Sequence, residues 1–86
     1  LNQRIPTRKL NDYLLPIIGA TPPPSEKGKF VRIKFVNQLP SKRIAIAFFC
    51  NLPQYVVDSY TRFLENKIRE EYNFSGVPIT IYYRKK

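Results

Sequence analysis

Two segments of the chain repeat their apolar residues at the spacing of an amphipathic helix. The first begins at Thr7, expected as the N-cap, and ends before Gly19, with Pro16 kinking its last turn. Its apolar positions are Leu10, Tyr13, Leu14, Ile17 and Ile18. The second covers residues 54–72, and its stripe is Val57, Tyr60, Leu64, Ile68 and Tyr72. The pattern therefore predicts two helices with one apolar face each.

Three shorter segments have the pattern of β-strands, at residues 30–36, 44–50 and 79–84. The middle one is apolar on both faces, as expected of a central strand. The element order is then α-β-β-α-β, and a right-handed crossover places both helices on one face of a three-stranded sheet, an α/β fold of the α+β type. The residues predicted to face the helices are Val31, Ile33, Phe35, Ile44, Ile46, Phe48, Ile79, Ile81 and Tyr83.

The same alternation assigns small, aromatic and basic residues to the opposite face of the sheet. They are Phe30, Arg32, Lys34, Ala45, Ala47, Phe49, Thr80, Tyr82 and Arg84. A merely solvated face does not need this mixture. Such a face could stack bases and hold phosphates, or it could be a docking surface for another domain, and the composition favours neither.

The length and net charge of the chain limit the kinds of protein to which it can belong. The 86 residues fit one domain, 1–86, with flexible ends at residues 1–6 and 84–86. Fifteen Lys and Arg against six Asp and Glu give a net charge of +9, which makes nucleic acid the expected partner. No apolar run approaches the roughly 18–20 residues that span a bilayer, so we expect no membrane span and a cytoplasmic location.

Catalytic and metal-binding patterns are missing from the sequence. Without histidine there is no Ser-His-Asp or Cys-His arrangement and no ordinary zinc site. The single cysteine, Cys50, stands in an apolar run and is expected to be a buried, inert thiol. The glycines at 19, 28 and 76 fit no phosphate-binding loop. We therefore expect no catalytic residue, no metal and no cofactor in this domain.

The second predicted helix and the turn after it carry a recognisable pattern. Residues 59–70 read SYTRFLENKIRE and residues 74–79 read FSGVPI. This resembles the KH-like C-terminal domain of the Der (EngA) family of bacterial tandem GTPases. Upstream matches in the same order are Arg4-Ile5-Pro6-Thr7, Leu10-Asn11, Pro22-Pro23, Arg32-Ile33-Lys34-Phe35, Gln38 and Phe49-Cys50-Asn51.

The resemblance implies a KH-like fold and a larger protein, in which two GTPase domains precede this one and act in assembly of the large ribosomal subunit. It also implies that GTP and Mg are held by those GTPase domains, that this domain packs between them, and that their nucleotide state decides which of its surfaces reach ribosomal RNA. The GXXG loop of ordinary KH domains is absent here and in the resembled family. We expect a monomer.

Basic residues on the strands and loops are the candidate phosphate contacts. They are Arg32, Lys34, Lys42, Arg43, Arg84, Lys85 and Lys86. The candidate docking face consists of Phe30, Phe49 and Tyr82. Lys42 and Arg43 are explained equally well as a solvated turn. The alternative function is a purely intramolecular docking domain that relays nucleotide state with little RNA contact.

Overall fold

A computed structural model describes residues 4–86 of the chain. Its helices and strands are α1 (Thr7–Ala20), β1 (Ile33–Gln38), β2 (Ile44–Cys50), α2 (Asp58–Glu71) and β3 (Ile79–Lys85). A short 3-10 helix at Pro53–Tyr55 precedes α2. The predicted α-β-β-α-β order and the α+β fold class are confirmed. Among residues 4–86 no helix is long and apolar enough to cross a membrane.

The three strands form one mixed sheet in the order β1-β2-β3. The hairpin partners β1 and β2 are antiparallel, whereas β2 and β3 are parallel because α2 carries the chain back between them. The predicted central position of β2 is therefore confirmed. It explains why Ile44–Cys50 is the most apolar strand, with every residue except Phe49 buried.

Both helices cover the same face of the sheet. Their buried residues belong to one core cluster with the inward residues of β1 and β2. The helices contribute Leu10, Leu14, Ile18, Tyr60, Leu64 and Ile68, and the two strands contribute Ile33, Val36, Ile44, Ile46, Phe48 and Cys50. Ile79, Ile81 and Tyr83 of β3 are partly buried against this cluster. One layer of helices on one sheet thus encloses a single core.

A β-bulge at the start of β1 overturns one predicted core position. Ile33 pairs with Cys50, but Phe35 pairs with Phe49, so Lys34 is an extra residue that β2 does not match. The extra residue shifts the alternation, and Val36 enters the core with no exposed surface. The prediction that Phe35 faces the helices is wrong. Its ring lies on the other face, 5.8 Å from that of Phe49 between centroids.

Several element ends differ from the predicted ones. β1 occupies Ile33–Gln38 rather than residues 30–36, and α2 begins at Asp58 rather than at 54, because Val57 is still extended (φ −84°, ψ 156°). Thr7 is the first helical residue of α1, not its N-cap. The helix continues through Pro16 to Ala20, and the N–H of Thr21 donates to the carbonyl of Ile17 at 2.9 Å.

The ends of the described chain are tied to the sheet. The N–H of Ile5 donates to Oε1 of Gln38 at 2.7 Å. At the other end, the N–H of Lys86 donates to the carbonyl of Cys50 at 3.1 Å. Residues 1–3 lie outside the described residues, and the flexibility of residues 1–6 and 84–86 stays a prediction.

Candidate nucleic-acid interface

The face of the sheet that the helices do not cover is called here the open sheet face. It consists of Phe35, Asn37, Ala45, Ala47, Phe49, Thr80, Tyr82 and Arg84. None of these residues belongs to the core cluster. Ala47 lies between Asn37 and Tyr82, and Phe49 lies between Phe35 and Arg84, so the aromatic and polar side chains form rows across the strands.

The centre of the open sheet face is built from small residues. Ala45 and Ala47 are buried although no helix covers them. Larger side chains lie beside them, Thr80 next to Ala45 and both Asn37 and Tyr82 next to Ala47. Tyr82, in the same row as Ala47, keeps 44% of its surface exposed. The result is a shallow surface with an alanine floor and an exposed aromatic ring at its β3 side. Such a surface accepts a flat aromatic group or a neighbouring domain.

Five of the predicted phosphate contacts meet at one end of the sheet, called here the basic end. They are Arg32, Lys34, Arg84, Lys85 and Lys86, and all five are exposed. They meet because β1 begins where β2 and β3 end: Cys50 pairs with Ile33 on one side and with Lys85 on the other. The mixed topology of the sheet therefore gathers charges from two distant segments of the sequence.

Two cations of the basic end lie close to aromatic rings of the open sheet face. The Nζ of Lys86 reaches across β2 to lie 5.5 Å from the ring centroid of Phe35. The guanidinium carbon of Arg84 lies 5.9 Å from the ring centroid of Tyr82. Contacts at these distances are weakly favourable cation–π interactions. This combination of basic and aromatic groups is typical of surfaces that bind single-stranded nucleic acid.

Asn51 organises the basic end, a role that the sequence analysis missed. Its Oδ1 accepts the N–H of Arg32 at 2.7 Å, and its Nδ2 donates to the carbonyl of Phe30 at 3.2 Å. Its own N–H donates to the carbonyl of Arg32 at 3.3 Å. An asparagine directly after a strand is a common turn residue, and that position was the available signal.

The structure separates the three predicted docking residues. Phe49 and Tyr82 both lie on the open sheet face. Phe30 lies before β1, and its side chain is 68% exposed. The prediction assigned Phe30 to the open sheet face because it took residues 30–36 as a strand. Phe30 lies outside β1, so the alternation of the strand does not assign it to either face. Its predicted contact with a partner stays a prediction.

Lys42 and Arg43 lie away from the other five basic residues. They belong to the loop between β1 and β2, which the N–H of Leu39 closes by donating to the carbonyl of Ala45 at 2.8 Å. The seven residues of β2 separate this loop from the basic end, a span of about 20 Å. Arg4 joins the loop, because its Nη1 donates to the carbonyl of Leu39 at 3.2 Å.

The acidic residues lie elsewhere. Asp12 is on α1, Glu26 is in the loop before β1, and the remaining four are on α2. The ion pairs found among residues 4–86 are all within helices, and none involves the basic end. The strands therefore carry only positive charge, which is the distribution that attracts a polyanion.

Residues 4–86 contain no group of three or more His, Cys, Asp and Glu side chains placed to hold a metal ion. Burial raises the pKa of the Cys50 thiol, so the neutral form is favoured over the nucleophilic thiolate.

Comparisons with known proteins agree with this fold. The family of KH-domain-like C-terminal domains of EngA bacterial GTPase enzymes matches residues 4–84. GTPase Der of Christiangramia forsetii is 60% identical over 85 residues, which cover 99% of this chain and 20% of that protein. GTPase Der of Cytophaga hutchinsonii is 61% identical over 84 residues, 98% of this chain and 19% of that protein. This chain spans about a fifth of the length of the curated relatives it matches.

Proposed function

Because the chain belongs to the family of KH-domain-like C-terminal domains of EngA (Der) bacterial GTPases, we propose that it binds ribosomal RNA for such a GTPase during assembly of the large ribosomal subunit. GTP and Mg act in the two GTPase domains of the larger protein, outside these residues. This domain contributes binding rather than a catalytic group or a cofactor site.

The observation that carries the proposal is the basic end. Five exposed cations, which lie on β1 and β3 or next to them, stand together beside the aromatic rings of the open sheet face. None of the ion pairs found among residues 4–86 involves them. Side chains of this kind hold phosphates and position the protein on RNA, without reading its sequence. Lys42 and Arg43 add phosphate contacts at the far end of the sheet.

The open sheet face supports a second role beside RNA binding. Its alanine floor and the exposed Tyr82 offer a shallow apolar surface, which suits docking against the GTPase domains of the same protein. The nucleotide state of those domains would then decide whether this surface and the basic end are free for RNA. In the second candidate function, docking is the whole role and RNA contact is minor.

The first experiment is a salt series of the affinity of this chain for large-subunit RNA fragments. The variant Arg32→Glu/Lys34→Glu/Arg84→Glu is compared with the wild type. Each lost phosphate contact lowers the slope of log affinity against log salt by about 0.7–0.9, so the variant is expected to lose about two units of slope.

The matched control carries the same change of charge on the helices. Arg8→Glu/Lys9→Glu/Arg62→Glu changes three exposed basic residues of α1 and α2. This control is expected to keep most of the salt slope. Equal losses in both variants would mean that only net charge matters, and no RNA binding by the wild type would favour the docking function.

The aromatic residues test whether the open sheet face takes part in RNA binding. Phe49→Ala and Tyr82→Ala weaken RNA binding if the open sheet face takes part in it. If the face only docks against the GTPase domains, both variants bind RNA like the wild type. The second result would restrict RNA contact to the basic end.

A further inference from the structure

Phe30 is the most exposed large hydrophobic residue among residues 4–86, with 68% of its surface in water. It belongs neither to the core cluster nor to the residues packed against it. It also lies outside β1, so the sheet does not require an aromatic side chain there. The ring therefore takes no part in the core, and most of it is free to contact a partner.

The backbone that carries the ring is held on both sides. Before Phe30, Glu26 and Lys29 exchange two backbone hydrogen bonds of 3.0 and 2.8 Å around a turn in which Gly28 has φ +75°. After it, Asn51 bonds the carbonyl of Phe30 and both backbone groups of Arg32. The ring is thus presented on a fixed backbone, which lowers the entropy lost on binding.

The surroundings of the ring are basic. Lys29 and Arg32, both exposed, flank it in the chain. The residue that holds its carbonyl, Asn51, directly follows Cys50, whose own carbonyl accepts the N–H of Lys86. Phe30 therefore lies on the β1 side of the basic end and Lys86 on the β3 side. The residues near the ring are mostly basic, with Glu26 of the preceding turn as the acidic one, so their net charge suits a polyanion better than an apolar partner.

We propose that Phe30 stacks on an unpaired base of the RNA whose phosphates contact the basic end. An aromatic ring among cations binds a nucleobase by its π-face, whatever the base is, and a paired base inside a duplex does not offer that face. The proposal rests on the proposed function and adds to it a preference for RNA with unpaired nucleotides.

The experiment compares two RNA hairpins that differ only in the loop, one with bases and one with abasic nucleotides. The wild-type chain is expected to bind the loop with bases about tenfold more tightly. Phe30→Ala removes that difference and leaves binding to the abasic hairpin unchanged. Phe30→Tyr keeps the difference, because its ring stacks equally well. The unfolding midpoint of each variant checks that the exposed substitution leaves the fold intact.

A second readout follows the ring itself. The chain contains no tryptophan, so Phe30→Trp introduces a single fluorescent reporter. Its emission is expected to be quenched by the hairpin with loop bases and not by the abasic one, as stacking requires.

Two results would overturn the proposal. One is equal binding of both hairpins by the wild type with retained salt dependence, which leaves the proposed RNA function standing without a stacking residue. The other is that Phe30→Ala, or a Phe30→Leu variant that keeps an apolar side chain without a ring, still prefers the hairpin with loop bases as strongly as the wild type does. If the wild type binds neither hairpin at any salt concentration, the proposed function itself fails. The partner of Phe30 would then be sought among the GTPase domains.

Discussion

The two faces of the sheet use the same strand for different purposes. On the covered side β2 presents Ile44, Ile46, Phe48 and Cys50, which are buried against the helices. On the open side the same strand presents Ala45, Ala47 and Phe49. Apolar side chains fill the space between the sheet and the helices on the covered side, whereas the two alanines keep the other surface shallow.

This difference indicates that one face of the sheet determines the free energy of unfolding and that the other is available for binding. Stability depends on the covered side, where removal of a side chain leaves a cavity. The open sheet face and the basic end contribute little to the core, so their residues can be selected for contact with RNA or with another domain. Substitutions on the covered side are therefore expected to cost more unfolding free energy than substitutions on the open sheet face.

The largest effect is expected for Phe48→Ala. Phe48 has no exposed surface and its ring lies 5.9 Å from that of Tyr83 between centroids, so its loss leaves a cavity. The expected loss of unfolding free energy is about 3–5 kcal/mol, a large share of the total stability of a small domain. Urea unfolding followed by far-UV circular dichroism measures it.

The neighbouring phenylalanine is the control for that change. Phe49→Ala removes a partly exposed ring from the open sheet face. Its cost is expected to be clearly smaller than that of Phe48→Ala. Equal costs would mean that the two faces do not divide stability and function as argued here.

A smaller effect is expected for Arg69→Ala on α2. The guanidinium of Arg69 donates to the carbonyls of Phe74 and Val77, each at 2.8 Å, and to the carboxylate of Glu65. These bonds hold the turn that leads into β3. Hydrogen bonds to a charged group are worth about 1.5–3 kcal/mol, and the loss is measured by the same urea unfolding.

Two other substitutions show whether the geometry of Arg69 matters. Arg69→Lys should recover little, because an ammonium group does not reproduce the planar fork that serves two carbonyls. Arg62→Ala, at an exposed arginine of the same helix, should cost about 0.5 kcal/mol or less. If Arg69→Ala is as mild as Arg62→Ala, the turn before β3 does not depend on this side chain.

The sequence predicted the fold well where periodicity decides it. The run at Ile44–Cys50 has the bounds of β2, and its apolar faces on both sides indicated its central place. The exchange of Phe35 for Val36 in the core escaped prediction because an extra residue at Lys34 reverses the alternation. A bulge depends on hydrogen-bond partners in the next strand, which a pattern within one strand does not contain.

The candidate site was predicted by residue type but not by arrangement. Basic and aromatic residues were recognised individually, yet their division into a basic end and a separate pair, Lys42 and Arg43, depends on the directions of the strands. The hydrogen bonds of the Asn51 side chain were not predicted because their partners, Phe30 and Arg32, lie about twenty residues earlier. Contacts at such separation follow from the fold and not from local sequence.

Alkaline pH tests the covered side through Tyr60. Burial raises the pKa of Tyr60 to about 12, and its hydroxyl donates to the carbonyl of Thr21 at 2.7 Å. In the unfolded chain the tyrosine hydroxyl ionises near pH 10. The contribution of Tyr60 to stability is therefore complete below pH 10 and is lost as the pH rises toward 12. Unfolding free energies at pH 9, 10 and 11 measure the loss.

Tyr60→Phe is the control for this pH dependence. It should cost about 1 kcal/mol at neutral pH, because one hydrogen bond is lost, and it should be less sensitive than the wild type between pH 10 and 11. All other residues are the same in both proteins, so the difference between the two curves isolates Tyr60. Parallel curves would contradict the assignment.

The smallest effect on stability is expected for Tyr82→Ala, which completes the comparison of the two faces. Tyr82 is 44% exposed in the row of Ala47 on the open sheet face, and no helix packs against that face. Its removal should change the unfolding free energy by about 0.5 kcal/mol. A cost on the scale of Phe48→Ala would show that Tyr82 stabilises the fold, and the open sheet face would then not be free to serve a partner.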